Sequence, residues 1–258
     1  MSTPSLALRS GSNASDAAWL AVRDVARIAA ELDVEYRLVG GNSVTLLAHL
    51  HGASHLAPER ETSDADMGVP YEVCADPRLL PQLLGLGYER EDGNRFVRGD
   101  GDRTLVIDVL APSYTSAFLT NQAHGDLVVD EVPGIRSALN LPATALRVEV
   151  TLTDGEVVPL EISLPHVHAA LIIKAFAYPD RLASKDAVDI WRLLEAANAG
   201  RLTAEDWPMK IEAREGAALL HQHFGGRSSR GPSRASTDAA LQARIRLLVA
   251  RVVAKPAS

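Results

Sequence analysis

Three aspartates and a glycine turn are the residues of this chain whose types and spacing suggest chemistry. Leu38-Val39-Gly40-Gly41-Asn42-Ser43 is followed, after an apolar helix-like segment, by Thr62-Ser63-Asp64-Ala65-Asp66-Met67-Gly68-Val69. A third acid, Asp108, stands inside the apolar run Leu105-Val106-Ile107-Asp108-Val109-Leu110. In an extended chain alternate side chains share a face, so Asp64 and Asp66 point the same way, about 7 Å apart. Carboxylates that close raise each other's pKa, and a divalent cation removes the repulsion. Asp108, apolar on both sides, costs several kcal/mol to bury unless it is paired, for instance with an arginine, or bound to metal. Asp64, Asp66 and Asp108 are therefore the predicted catalytic and metal-ligating set, with Mg²⁺ or Mn²⁺ as the ion. Gly40 and Gly41 permit positive φ and close backbone approach. The helix after them offers free N–H groups to phosphate oxygens, and Ser43 adds a hydroxyl donor. The reaction that uses such parts is phosphoryl transfer from a nucleoside triphosphate (NTP).

Lys174 is the second unusual residue. The chain has 4 lysines against 22 arginines, yet this one lies within Ala169-Ala170-Leu171-Ile172-Ile173-Lys174-Ala175-Phe176-Ala177. A lysine in so apolar a helix either snorkels to the surface or meets an anion, and phosphate contact is the expectation. Arg181, Lys185, Asp186 and Asp189 follow. Asp186 and Asp189 share a helix face, and Lys185 can pair with Asp189. The expected role is a polar patch lining a cleft between two halves, with a surface salt-bridge ladder as the alternative. The predicted nucleotide-binding residues are thus Gly40, Gly41, Ser43, Lys174, Lys185, Asp186 and Asp189. The pairs His49/His51, His166/His168 and His221/His223 do not face each other on helices, so no zinc site is expected. Cys74 is expected to pack rather than react.

The elements that position these residues divide at about residue 163. Residues 1 to about 14 read as a frayed Ser-rich lead, then a helix to Leu32 capped by Ser15-Asp16. Strands are expected at 36–39, 66–69, 95–98, 104–110, 145–152 and 157–162, with helices at 43–50 and 77–84. Beyond Pro165 the pattern is helical: 166–178, 184–197, 204–223 and 237–253. Gly225 to Ser233 reads as a flexible linker. The predicted fold class is α+β: a mixed β-sheet with flanking helices over 1–163 as the catalytic domain, and a helical domain over 164–258 with an Arg-rich C-terminal arm.

Composition bounds the rest. The 258 residues are 47% hydrophobic and 23% charged, enough for a sizeable core. The single cysteine excludes an intrachain disulfide and fits a reducing, cytoplasmic location. Met1 to Asp16 has no apolar core of a secretory signal, and no membrane span is expected. Net charge is −7, yet Arg227, Arg230, Arg234, Arg244, Arg246, Arg251 and Lys255 face one acid, Asp238, at the C-terminal end. That arm is either a solvated tail or a contact for a polyanion.

Gly40-Gly41-Asn42-Ser43, then Asp64-Ala65-Asp66, then Asp108 resembles the DNA polymerase β-type nucleotidyltransferase superfamily. Lys174-Ala175-Phe176-Ala177-Tyr178, Arg181 and Lys185-Asp186-Ala187-Val188-Asp189-Ile190-Trp191-Arg192-Leu193-Leu194 resemble its AbiEii branch, which includes toxins of AbiE-type and mycobacterial MenT toxin–antitoxin systems, and the fold that the resemblance implies for residues 1–163 is the nucleotidyltransferase type. The likeness covers about residues 35 to 195. The chain departs from the family in a longer Ser43-to-Asp64 spacing, which implies an insertion over His51–Glu61, and in reading Gly-Asn-Ser rather than Gly-Ser. The resemblance implies metal-dependent transfer of a nucleoside monophosphate to an acceptor hydroxyl with release of pyrophosphate, with Lys174 as a fourth catalytic residue that neutralises charge developing on the leaving group. It implies the 3′ end of tRNA as acceptor and a cognate antitoxin as partner. A small-molecule acceptor, such as an aminoglycoside-like antibiotic, is the alternative.

Overall fold

A computed structural model describes residues 3–256. The chain folds as two compact units: the described residues up to Ser43 with Glu61–Pro165, and Val44–Arg60 with the described residues from His166 on. The segment 44–60, expected in the first half, groups with the helical unit.

The first unit is built from β1 (Ser5–Arg9), α1 (Asn13–Leu32), β2 (Arg37–Val39), the start of α2 (Gly40–Leu50), β3 (Ala65–Gly68), α3 (Tyr71–Cys74), α4 (Leu79–Gly85), β4 (Glu89–Asp92), β5 (Arg95–Asp100), β6 (Arg103–Pro112), β7 (Leu119–His124), β8 (Leu127–Val132), α5 (Ile135–Asn140), β9 (Thr144–Thr151) and β10 (Val157–Leu164). Two sheets carry it. The larger runs β2-β3-β6-β5-β4, with β8 paired to β6 and β7 to β8. The smaller is β1-β9-β10. The fold is α+β with a mixed sheet: β3 is parallel to β6, while β2 and β5 are antiparallel to their neighbours.

The N-terminal segment expected to fray instead forms β1, a parallel partner of β9 from Ser5↔Arg147 to Arg9↔Thr151. Its backbone groups are satisfied by the β9 edge. The helix that follows starts earlier than expected, because the Ser12 hydroxyl accepts from Ser15 N–H at 3.2 Å and caps it. Trp19, Val22, Val25, Ile28 and Leu32 on one stripe of α1 are buried. At the centre of the large sheet, Phe96, Leu105, Ile107 and Val109 are fully buried, each such side chain worth about 1.5–3 kcal/mol.

The second unit contains the rest of α2, then α6 (Val167–Arg181), α7 (Ser184–Ala199), α8 (Ile211–Leu220), a π-turn over His221–Gly225, α9 (Gly231–Ala235) and α10 (Ala239–Val252). Gly225 to Ser233 is not a flexible linker throughout. Gly231 and Pro232 are buried at the start of α9, and a Cβ on Gly231 would fall 2.5 Å from the Phe224 ring. At Gly231 and Pro232 the composition serves close packing, while Gly226, Arg227 and Ser228 are exposed. The arm beyond it is an anchored helix: Ile245, Leu248, Val249 and Val252 of α10 are buried. Among the described residues no helix is long and apolar enough to cross a membrane.

Candidate functional site

Three adjacent strands of the large sheet carry one row of charge. The parallel register places Asp66 of β3 beside Asp108 of β6. The antiparallel register places Arg95 of β5 directly opposite Asp108. Directly paired residues project on the same face of a sheet. The row is therefore Asp66, Asp108, Arg95, at the roughly 4.8 Å spacing of neighbouring strands. Asp64 lies one residue ahead of β3. It and Asp66 are half-buried while Ala65 and Met67 are buried, so the two acids share the open face as the alternation predicts. The chain thus brings Asp64, Asp66 and Asp108 to one patch of one sheet.

Arg95 is a residue of the patch that the sequence pattern does not announce. Its Nε donates to Asp108 Oδ1 at 2.9 Å and its Nη2 to Asp108 Oδ2 at 2.7 Å. The same Nη2 lies 3.8 Å from Asp64 Oδ2. Hydrogen bonding to Asp108 holds the Arg95 guanidinium well above its ordinary pKa. A fork against a carboxylate is the strongest ion-pair geometry. It answers the burial of Asp108, whose side chain is 10% exposed against 42% for Arg95.

The glycine turn is tighter than expected. Gly40 and Gly41 are the first residues of α2, not a loop ahead of it. Gly40 has φ +69°, and a Cβ there would fall 1.7 Å from Asp66 Oδ2. The Asp66 carboxylate thus occupies the space a side chain would take, against the positive end of a helix. Asn42, next along, is buried and donates from Nδ2 to the Asp64 backbone carbonyl at 2.9 Å. It ties the helix start to the Asp-Ala-Asp segment. Ser43 is buried, and its Oγ has no hydrogen-bond partner.

Among the described residues no three His, Cys, Asp or Glu side chains are gathered into a ready metal cage. The chemistry of the donors, though not their spacing with Arg95 in place, is that of a hard divalent cation's ligands. All the donors are carboxylate oxygens, and one cationic nitrogen, Arg95 Nη2, is already shared between Asp108 and Asp64. The guanidinium stands where positive charge is needed.

The second unit has its own cluster on α6 and α7. Lys174 is buried and does not snorkel. Its Nζ is 2.8 Å from Asp189 Oδ2 and 3.6 Å from Asp186 Oδ1. Asp189 is also held by Arg60, from Nε at 3.1 Å and Nη2 at 3.2 Å. Burial raises the Asp189 carboxyl, but the Lys174 and Arg60 charges outweigh it and hold it below the usual range. Asp186 and Asp189 do share a helix face, and the anions that meet Lys174 are these two. The expected Lys185–Asp189 pair does not form: Lys185 is exposed in the first turn of α7, while Asp189 turns inward to Lys174. Arg192 is buried, donates from Nη1 to Thr45 Oγ1 at 3.2 Å, and leaves Nε and Nη2 without partners. The sequence pattern singles out neither Arg60 nor a role for Arg192 beyond its place in the Lys185–Leu194 motif. An arginine three residues after Asp189 on one helix was the available signal for Arg192.

The remaining candidates resolve as packing. Cys74 is buried, and burial pushes its thiol up to about 12. His168 is fully buried against Trp207, with both ring nitrogens unpartnered. Of the C-terminal arginines, Arg244 is bound to the buried Glu195 at 2.5 and 2.7 Å, and Arg246 donates to the Gly226 carbonyl at 3.1 Å. Arg227, Arg230, Arg234 and Arg251 are exposed.

No family model and no curated protein sequence matches the chain. Among solved structures, the chain aligns with the antibiotic-resistance factor ANT(2'')-Ia, at 13% identity over 92% of this chain and 91% of that one, with a TM-score of 0.36. That score is below what a shared fold requires, so function has to be argued from the chain's own residues.

Proposed function

We propose that the chain is a metal-dependent nucleotidyltransferase, moving a nucleoside monophosphate from an NTP to an acceptor hydroxyl. The observation that carries the reading is the register of Asp66 beside Asp108 on adjacent parallel strands, with Asp64 on the same face. Asp64, Asp66 and Asp108 would hold Mg²⁺ or Mn²⁺, which supplies charge neutralisation to the triphosphate. The chain's own groups do the rest. The N–H groups at the start of α2 and the unpartnered Ser43 hydroxyl donate to phosphate oxygens. Asp108 takes the proton of the attacking hydroxyl. That oxygen bonds the α-phosphorus as the bond to pyrophosphate breaks, and pyrophosphate leaves. In the helical unit Lys185 is exposed at the start of α7, while Lys174 with Asp186 and Asp189 forms the buried support of that helix.

The acceptor we assign is the 3′ end of tRNA, with exposed Arg227, Arg230, Arg234 and Arg251 holding its phosphate backbone. By its resemblance to the AbiEii branch the chain is a cytoplasmic toxin with a cognate antitoxin. The test incubates the protein with Mg²⁺, each α-³²P-labelled NTP in turn and total tRNA, beside Asp66→Ala. Label on tRNA with the wild type alone supports the reading and names the nucleotide. Label that instead appears on an added aminoglycoside moves the acceptor to a small molecule. Equal labelling by Asp66→Ala removes the acid set from the mechanism.

A further inference from the structure

We propose that Arg95 is the resident counter-ion of the acid patch, and that a divalent cation binds by displacing its guanidinium from Asp108. The inference rests on the reading of Asp64, Asp66 and Asp108 as metal ligands. Arg95 donates to both oxygens of Asp108, at 2.9 and 2.7 Å, and so takes the inward lone pair of each, the one an ion chelated by the carboxylate needs. Nη2 also leans toward Asp64 Oδ2 at 3.8 Å, which makes one side chain the counter-ion of two ligands. With a side chain 42% exposed, Arg95 has solvent to swing into, whereas Asp108 is fixed in the middle of β6.

The consequence is a linkage. An ion that chelates Asp108 opens the fork, so metal affinity is reduced by the stability of the fork. With Arg95 open to solvent and Asp108 buried, the bidentate pair is worth at least the upper end of the exposed range, about 1 kcal/mol. Opening it therefore costs the ion roughly fivefold in affinity. Between metal-loading events the patch keeps its charge compensated, and a fold carrying three adjacent carboxylates stays stable without an ion. The open guanidinium then lies beside the triphosphate's binding patch as an added donor to phosphate oxygens.

The test titrates Mn²⁺ and Mg²⁺ into wild type, Arg95→Gln and Asp108→Asn, with binding read by calorimetry. In parallel the Arg95 Nε–H resonance of the wild type is followed through the Mg²⁺ titration and assigned by its loss in Arg95→Lys. The expected result is roughly fivefold tighter metal binding by Arg95→Gln and an Nε–H signal that shifts in proportion to metal occupancy. Arg95→Lys keeps the charge but loses the fork, so its affinity rises too, which a mere through-space field would not produce. Equal affinities in wild type and Arg95→Gln, with an unmoved Nε–H signal, overturn the displacement and leave the metal site standing. Failure of both proteins to bind either ion removes the metal site itself and the proposal with it. If Arg95→Gln does not fold, the wild-type resonance decides alone.

Discussion

Replacing Gly40 with alanine tests whether the Asp66 carboxylate is held where the chemistry requires it. Gly40 has φ +69°, and so does Gly52, just past the end of α2. Alanine at either position incurs the left-handed strain of about 1–2 kcal/mol, partly offset by reduced freedom in the unfolded chain. The surroundings differ. A Cβ on Gly52 meets nothing within 4 Å, whereas on Gly40 it falls 1.7 Å from Asp66 Oδ2. The carboxylate must move by more than an ångström to reach even the 3.0 Å at which real Cβ contacts begin. Misplacement of a reacting group on that scale costs about 100-fold in rate. Gly52→Ala is therefore the strain control. Both variants are expected to lose about 1 kcal/mol in urea denaturation. Only Gly40→Ala should lose transfer to tRNA, by about 100-fold, together with Mn²⁺ affinity. If the two variants match in transfer and in metal binding, Asp66 is not part of a working site.

Four other outcomes follow from the geometry. His168, buried and held down to about 4 by burial and by His166, stays neutral in the fold while the unfolded chain protonates below about pH 6.5. The unfolded state then binds more protons, so stability falls as pH drops from about 6.5 to about 4, by up to roughly 3 kcal/mol. His168→Phe should flatten that slope in denaturation across pH, and an unchanged slope would assign it elsewhere. Asp189 adds a second acid limb, with the sign worked the same way: its lowered folded pKa contributes stability above the ordinary carboxylate range, lost as pH falls through the lowered value. Lys174→Met should cost about 3 kcal/mol, because it strips a buried cation from two buried acids; a stability within about 0.5 kcal/mol of wild type would refute that pairing. Arg230→Gln with Arg234→Gln should lower the salt slope of tRNA binding by about 1 for each phosphate no longer neutralised, with no change in melting temperature.

The acids are legible in the sequence because burial and alternation act on single residues. An Asp inside Leu105–Leu110 announces itself, and Asp64 and Asp66 share a face wherever the chain is extended. Their partners are not legible in that way, because pairing is a property of register. Arg95 offers one retrievable signal. Gly101-Asp102 is a two-residue hairpin loop of the kind that fixes strand register, and counting outward from Asp100↔Arg103 reaches Arg95↔Asp108. The edge strand β7 escapes a sequence reading because Leu119-Thr120-Asn121-Gln122-Ala123-His124 has no apolar alternation to follow. β1 escapes it because its leucines are only intermediate in burial and its order comes from the β9 backbone. The segment Gly225–Ser233 misleads because glycine and serine serve tight packing and solvation alike. The helices α6 and α7 are legible to within a few residues, yet Lys174, expected to meet a substrate anion, is already met by two anions of the next helix.

The β5–β6 hairpin also dictates an order of assembly. Arg95 and Asp108 meet within one contiguous stretch closed by a two-residue loop, the kind of unit that forms in about 1–10 μs. Asp66 joins Asp108 only when β3 docks across an intervening span of some forty residues in parallel pairing, a slower, longer-range event. Asp108 therefore reaches its first carboxylate neighbour with its charge already answered. Pulsed hydrogen exchange during refolding should protect the β5 and β6 amides ahead of those of β3, and Arg95→Gln should delay the β3 amides most.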